Sequence, residues 1–273
     1  MLKDWQIIQY TNQLRENISF NYIDPVSDID KVLEDAGYKY VEEHFKDDFS
    51  GFSKYLGSGN YVIGFNKDHY WSEKFRRFTI AHELGHLTIP EHRLKLEKEI
   101  LHRSKTEYKS TNNIEIEADK FAINFLAPKQ TFKEKSKYKR FNSDTINILS
   151  DYFNISTYAT ALHFIDSTDL ACVLIVNNKN GQIVYERRSK RFTEGFYHPY
   201  LHRQAVPQDT NCFTYLNDDQ TIEDIGNEQV IDLKAWYPEL NSDIQAFESI
   251  IDLGYNNFIF SLIEPHKSVD EDE

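Results

Sequence analysis

Apolar residues in the first 167 positions recur mainly at helical spacing, with one short region of strand-like alternation. The longest helical pattern follows Ser72, a residue type that favours helix starts, and stops before Pro90. Another follows Asn112 and stops before Pro128. The pattern predicts an N-terminal helix, a short helix ended by Gly37, helices at 72–88, 112–127, 143–153 and 156–165, and strands at 38–41, 52–56 and 61–65.

The pattern changes near Asp169. A continuous apolar run at 170–176 is followed by Asn180-Gly181 and a second apolar segment at 183–185, which is a strong hairpin signal. Further strands are predicted at 230–233, 244–251 and 257–263. The predicted fold class is α+β: a helical domain with a small antiparallel sheet at residues 1–167, a β-rich domain at residues 168–265, and an acidic tail at residues 266–273.

Composition and charge narrow the class of protein. Hydrophobic residues form 40% of the 273 residues, which is enough for a buried core and excludes wholesale disorder. The net charge of −13 repels phosphate backbones, so direct nucleic-acid binding is not predicted. No apolar run approaches the roughly 18 residues of a membrane span, and the charged N-terminus is unlike a secretory signal. Because Cys172 and Cys212 make no disulfide framework, a reducing cytoplasmic location without membrane contact is predicted.

Candidate metal chemistry lies in the helix predicted at 72–88. His82 and His86 are four residues apart, so both imidazoles leave one face of the helix and can reach one zinc ion. Glu83 follows the first histidine, where its carboxylate can accept a proton from a water beside the metal. The His-Glu-x-x-His spacing therefore predicts a metal centre with Glu83 as the general base.

A catalytic zinc needs a third protein ligand, and the sequence offers two candidates. His92 has the outer spacing of a metzincin site, but Ile89 stands where that pattern has glycine. On the helix at 112–127, the helical wheel places Glu115 at the edge of the buried stripe and Glu117 on the solvent-exposed side. Glu115 is thus favoured as the ligand, and Asp119, one turn later, can accept a histidine ring N–H.

These motifs resemble the ImmA/IrrE family of metallo-endopeptidases. The resemblance is carried by RFTIAHELGH at residues 77–86 and EIEADKFAINFLAP at residues 115–128. Asp119 stands where the family usually has Asn, and Ala127 stands where it usually has Met. Asp119 retains a hydrogen-bond acceptor, and Ala127 only fills less volume than methionine, so neither change affects the expected site.

The resemblance implies a zincin-like domain that holds Zn²⁺ through His82, His86 and Glu115, with Mn²⁺ as an alternative in vitro. It also implies cleavage of a separate helix-turn-helix transcriptional repressor, which derepresses stress-response, mobile-element or defence genes. The β-rich part after residue 167 would then be a GAF-like sensor. An alternative hypothesis is a non-catalytic, metal-containing protein that binds and sequesters a repressor.

Overall fold

The structure is a computed structural model, and it describes residues 1–21, 23–105, 112–196, 201, 204–217, 228–254 and 257–266. The chain forms two compact units. One comprises Met1–Phe132 and Asp151–Ser156, and the other comprises Lys133–Ser150 and Thr157–Glu273. Residues 267–273 of the expected acidic tail lie outside the described residues. No helix in the described ranges has both the length and the apolar character that crossing a membrane requires.

The first unit confirms the helices and strands predicted up to residue 127 and adds others. Residues 90–104, which lie outside every predicted element, form a helix and a strand. The elements are α1 (Asp4–Asn17), α2 (Ile29–Asp35), β1 (Lys39–Glu43), β2 (Gly51–Gly57), β3 (Asn60–Asn66), α3 (Glu73–Thr88), α4 (Pro90–Glu99), β4 (Leu101–Ser104) and α5 (Asn113–Leu126), followed by α6 (Lys129–Ser136) and α7 (Ser143–Phe153), which have residues in both units.

The strand order of the first sheet is β1-β3-β2-β4. Strand β2 pairs antiparallel with both β3 and β4, but β1 pairs parallel with β3. The prediction of an antiparallel sheet is therefore wrong at this pair. The β2–β3 hairpin leaves one edge of β3 free, and β1 occupies that edge running in the same direction. Alternating apolar residues indicate a strand, but they carry no information about its direction.

Helices α3 and α5 pack closely in the first unit. The Ser72 hydroxyl accepts a hydrogen bond from the backbone of Phe75 at the start of α3, and Asn112 caps α5 in the same way. A Cβ atom at Gly85 would lie 3.1 Å from the Phe121 ring, so glycine allows the two helices to approach here. This close contact brings the side chains of α5 against the face of α3 that carries the histidines.

The second unit contains an antiparallel sheet of order β6-β5-β9-β8-β7. The predicted hairpin around Asn180-Gly181 is confirmed as β5 and β6, and Gly181 adopts a φ of 72°. The other predicted strands are also present. The elements are α8 (Thr157–Ser167), β5 (Val173–Asn178), β6 (Ile183–Arg188), α9 (Lys190–Gly195), α10 (Asn211–Asn217), β7 (Glu228–Asp232), β8 (Gln245–Asp252) and β9 (Phe258–Pro265).

The division into units differs from the boundary expected at residue 167. Residues 157–167, and 143–150 before them, belong to the second unit. Tyr158 of α8 packs its ring 5.6 Å from that of Phe260 on β9, and the Ser143 amide donates to the Ser249 hydroxyl. Helix α8 and the first residue of α7 thus contact the sheet, so a switch from helical to strand pattern does not mark the end of a unit.

A buried carboxyl lies in the second unit. Glu248 of β8 is fully buried, and its oxygens accept hydrogen bonds from the backbone amides of Asn211 and Cys212. Burial raises the pKa of Glu248 from its ordinary 4.5 to about 7, although the hydrogen bonds oppose that shift. The folded chain therefore retains this proton to a higher pH than the unfolded chain does.

This retention makes stability depend on pH. Below about pH 4.5 Glu248 is protonated in both the folded and the unfolded state, and its contribution to stability is fully present. As pH rises toward 7 the unfolded chain loses the proton first, so the free energy of unfolding falls by on the order of 3 kcal/mol. In thermal melts at pH values from about 4.5 to 7, we expect the stability of Glu248→Gln to fall less with rising pH than that of the wild type. The matched variant at exposed Glu194 should keep the wild-type slope, and an equal slope in Glu248→Gln would contradict the expectation.

Candidate metal centre

Two histidines on α3 and one glutamate on α5 form a compact group of metal-ligating atoms. The Nε2 atoms of His82 and His86 are 3.0 Å apart, and each residue is 2% exposed. Glu115 places Oε2 3.2 Å from His82 Nε2 and Oε1 3.8 Å from His86 Nε2. One donor atom from each residue lies within 4.8 Å of the others. The structure therefore brings together the three residues expected to be metal ligands.

Asp119 lies on the other side of His82. Its Oδ1 is 2.8 Å from His82 Nδ1, one helical turn beyond Glu115. An acceptor at this place favours the tautomer that carries its proton on Nδ1. When the ring is neutral, this tautomer directs the Nε2 lone pair of His82 toward His86 and Glu115, as metal ligation requires. Asp119 thus has the contact expected of a residue that supports a histidine ligand.

The electrostatics of the group favour a cation. Burial alone would lower the pKa of His82, but hydrogen bonds with Asp119 and Glu115 outweigh it and raise the pKa to about 10. Burial and the neighbouring His82 hold the pKa of His86 well below its usual value, so His86 is neutral. Burial would raise the pKa of Glu115, but contacts with His102 and His82 hold it well below its ordinary range. The Glu115 carboxylate is therefore ionised, and positive charge beside it stabilises that form.

Glu83 lies beside this group in the interior. Its side chain is fully buried, and the Ser53 hydroxyl of β2 donates to Oε2 over 2.6 Å. The other oxygen, Oε1, is buried without a hydrogen-bond partner among the described residues. Burial raises the pKa of the Glu83 carboxyl, opposed by the nearby charge of His82. Ser53 thus holds one oxygen, while the other remains available for proton transfer.

Gly51 of β2 supplies the space around Glu83. A Cβ atom at this position would lie 2.6 Å from Thr79 Cγ2 and 2.9 Å from Glu83 Oε1. We expect Gly51→Ala to displace these side chains and to destabilise the fold by ~1–3 kcal/mol, because overpacking forces neighbours off their positions. Gly195→Ala is the control, since its Cβ meets nothing within 4 Å. Equal melting temperatures for the two variants would show that the contact around Gly51 relaxes freely.

The prediction that Glu117 lies on the solvent-exposed side of α5 is wrong. Glu117 is 5% exposed, because its carboxylate accepts from the backbone amide of Leu2 and lies 2.9 Å from His92 Nε2. Helix α1 packs on α5 and covers this side, which the helical wheel of α5 alone did not reveal. His92, the alternative third ligand, directs Nε2 to Glu117 and lies outside the group of His82, His86 and Glu115.

Sequence reasoning missed His102. This residue lies on β4, in a stretch for which the sequence pattern predicts no strand, and no spacing links it to the His-Glu-x-x-His motif. Its Nε2 is 3.1 Å from Glu115 Oε1, and its ring centroid is 4.3 Å from that of His86. Only the pairing of β4 with β2 brings it to the metal-ligating group, so a local pattern could not have indicated it.

A helix pair presents two histidines and a glutamate, with a buried carboxyl next in sequence to the first histidine, which is an arrangement typical of metallopeptidases. Residues 34–164 match the family model described as IrrE N-terminal-like domain, Peptidase_M78. The match covers 131 of the 273 residues and confirms the ImmA/IrrE resemblance of the motifs within them.

A solved structure described as a Mycobacterium tuberculosis transcriptional regulator is similar to this chain, with a TM-score of 0.55 and 14% sequence identity. The similarity covers 95% of this chain and 76% of that one. At this identity the likeness concerns the fold alone. No curated protein sequence matched the chain in the comparison.

Proposed function

We propose that this chain is a zinc-dependent endopeptidase that cleaves a separate helix-turn-helix transcriptional repressor. The observation that carries the proposal is the convergence of His82, His86 and Glu115 within 4.8 Å beside the buried carboxyl of Glu83. Two imidazole nitrogens and one carboxylate oxygen are a donor set typical of catalytic zinc sites. A site that only stored a metal would need no buried base next to its first ligand.

The residues fit the metal for a further reason. Glu115 Oε2 lies 3.2 Å from His82 Nε2, which in turn lies 3.0 Å from His86 Nε2, so the carboxylate oxygen and both ring nitrogens are close together. In this arrangement His82, His86 and Glu115 would hold the ion, and Asp119 would orient His82. When bound, zinc supplies positive charge that acidifies water and polarises a carbonyl group.

Glu83 performs the proton transfers in this mechanism. Its Oε1, which has no hydrogen-bond partner in the described part of the chain, accepts a proton from the attacking water, while the Ser53 hydroxyl holds Oε2. The raised pKa of the Glu83 carboxyl suits it to carry that proton and then deliver it to the leaving amine. Burial excludes bulk water from the carboxylate, which keeps the proton within the site.

The repressor as substrate rests on the match of residues 34–164 to this family, and a structural neighbour is described as a transcriptional regulator. The net charge of −13 favours a basic protein over a nucleic acid as partner. The test is to incubate the full chain with candidate repressors and zinc, and to identify the fragments by mass spectrometry. Fragments with one defined new terminus, lost after chelation, support the proposal, and intact repressors in every mixture contradict it.

A further inference from the structure

The strand pair β2–β4 presents two polar side chains next to each other. In the antiparallel register, Ser53 of β2 lies directly opposite His102 of β4. Opposite residues project to the same face of a sheet, so the two side chains leave it side by side. The Ser53 hydroxyl donates a hydrogen bond to Glu83, the proposed base. His102 holds the corresponding place beside Glu115, the proposed ligand.

The facing atoms of His102 and Glu115 are both unsatisfied. Nε2 of His102 and Oε1 of Glu115 are 3.1 Å apart, and neither has a hydrogen-bond partner within the described ranges. The side chains are 20% and 16% exposed, so bulk water is a limited substitute for a protein partner. Rotation about the Cβ–Cγ bond of a histidine meets little resistance, so a small turn of the ring aligns an Nε2–H with Glu115 Oε1.

His102 is not itself a member of the ligand group. The described residues whose donor atoms all lie within 4.8 Å of one another are His82, His86 and Glu115. His102 touches this group through one oxygen of Glu115 and through the ring of His86, at a centroid distance of 4.3 Å. Its position is that of a neighbour that restrains a ligand.

We infer that His102 is a positioning residue, which donates a hydrogen bond from Nε2 to Glu115 Oε1 and leaves Oε2 of that carboxylate for the metal. The inference rests on the proposed metal centre. Carboxylate ligands hydrogen-bonded by a neighbour lose less freedom on binding a metal, and removing such neighbours typically weakens metal affinity by ~10–100-fold. The role requires a hydrogen-bond donor at this place and no particular charge.

The experiment measures zinc affinity of the full chain by competition with a chromophoric chelator at fixed pH. His102→Phe keeps a planar ring without a donor, and His102→Ala is a second variant in case the larger ring disturbs the strand. Both should weaken zinc binding by ~10–100-fold. His102→Gln restores an N–H donor and should bind zinc close to the wild-type affinity. His44→Phe, at an exposed histidine of the same unit, is the control that should not change affinity.

Wild-type affinity in both His102→Phe and His102→Ala would overturn the inference. Equal weakening in His102→Gln would overturn the role as a donor, and zinc loss as complete as in Glu115→Gln would identify a direct ligand instead. A wild-type chain that binds zinc but cuts no repressor contradicts the proposed hydrolysis and leaves this inference intact. A wild-type chain that binds no zinc contradicts both.

Discussion

Glu83→Gln is expected to abolish peptide cleavage while the chain keeps its fold and its zinc. The amide has the shape of the carboxylate, and the Ser53 hydroxyl can still donate to its oxygen, as it does to Glu83 Oε2 over 2.6 Å. The amide cannot accept the proton that the mechanism requires, so the rate should fall by at least ~10²-fold. Initial rates of fragment formation, zinc content and a thermal melt of the same preparation measure the three properties separately.

The matched control is Glu73→Gln, an exposed glutamate in the first turn of the same helix. This variant should cut at nearly the wild-type rate. Cleavage by Glu83→Gln at the rate of Glu73→Gln would show that hydrolysis does not depend on the proposed base. Release of a repressor from its operator by Glu83→Gln, without any cleavage, would instead support the sequestering alternative.

Glu115→Gln is expected to lose zinc, whereas Glu117→Gln should keep it. An amide oxygen is a poorer ligand than a carboxylate and brings no charge to the site, so zinc affinity should fall by more than ~100-fold. Glu117 lies on the same helix and is also largely buried, but its partners are Leu2 and His92. Its replacement should lower the melting temperature of the chain without changing its zinc content.

Zinc content by atomic emission and melting temperature distinguish these two results. Equal zinc content in Glu115→Gln and Glu117→Gln would contradict the assignment of Glu115 as a ligand. Zinc loss confined to His92→Ala would identify His92 as the third ligand, in spite of its 2.9 Å contact with Glu117.

Much of the first unit could be predicted because its signals are local. The Ser72 cap and Pro90 set the ends of α3, and the four-residue spacing of His82 and His86 places both on one face of it. Glu115 could be favoured over Glu117 because it lies at the edge of the apolar stripe of the same helix.

The features that could not be predicted depend on contacts between distant parts of the chain. Glu117 contacts Leu2, more than a hundred residues earlier in the chain, and His92 of α4. His102 reaches the site through the register of β4 with β2, and the parallel direction of β1 depends on which edge of β3 was free. Periodicity within one segment contains no information about a neighbour that another segment supplies.

The contact between Gly85 and Phe121 has an evolutionary consequence. It lies next to His86 on one helix and two residues beyond Asp119 on the other, so it sets the helix separation where the donor atoms project. The contact that sets this separation is between the backbone at Gly85 and the ring of Phe121, and no long, flexible side chain takes part in it. Substitutions on the outward faces of α3 and α5 should therefore accumulate without moving the three donor atoms apart, whereas a larger residue at position 85 would separate the helices.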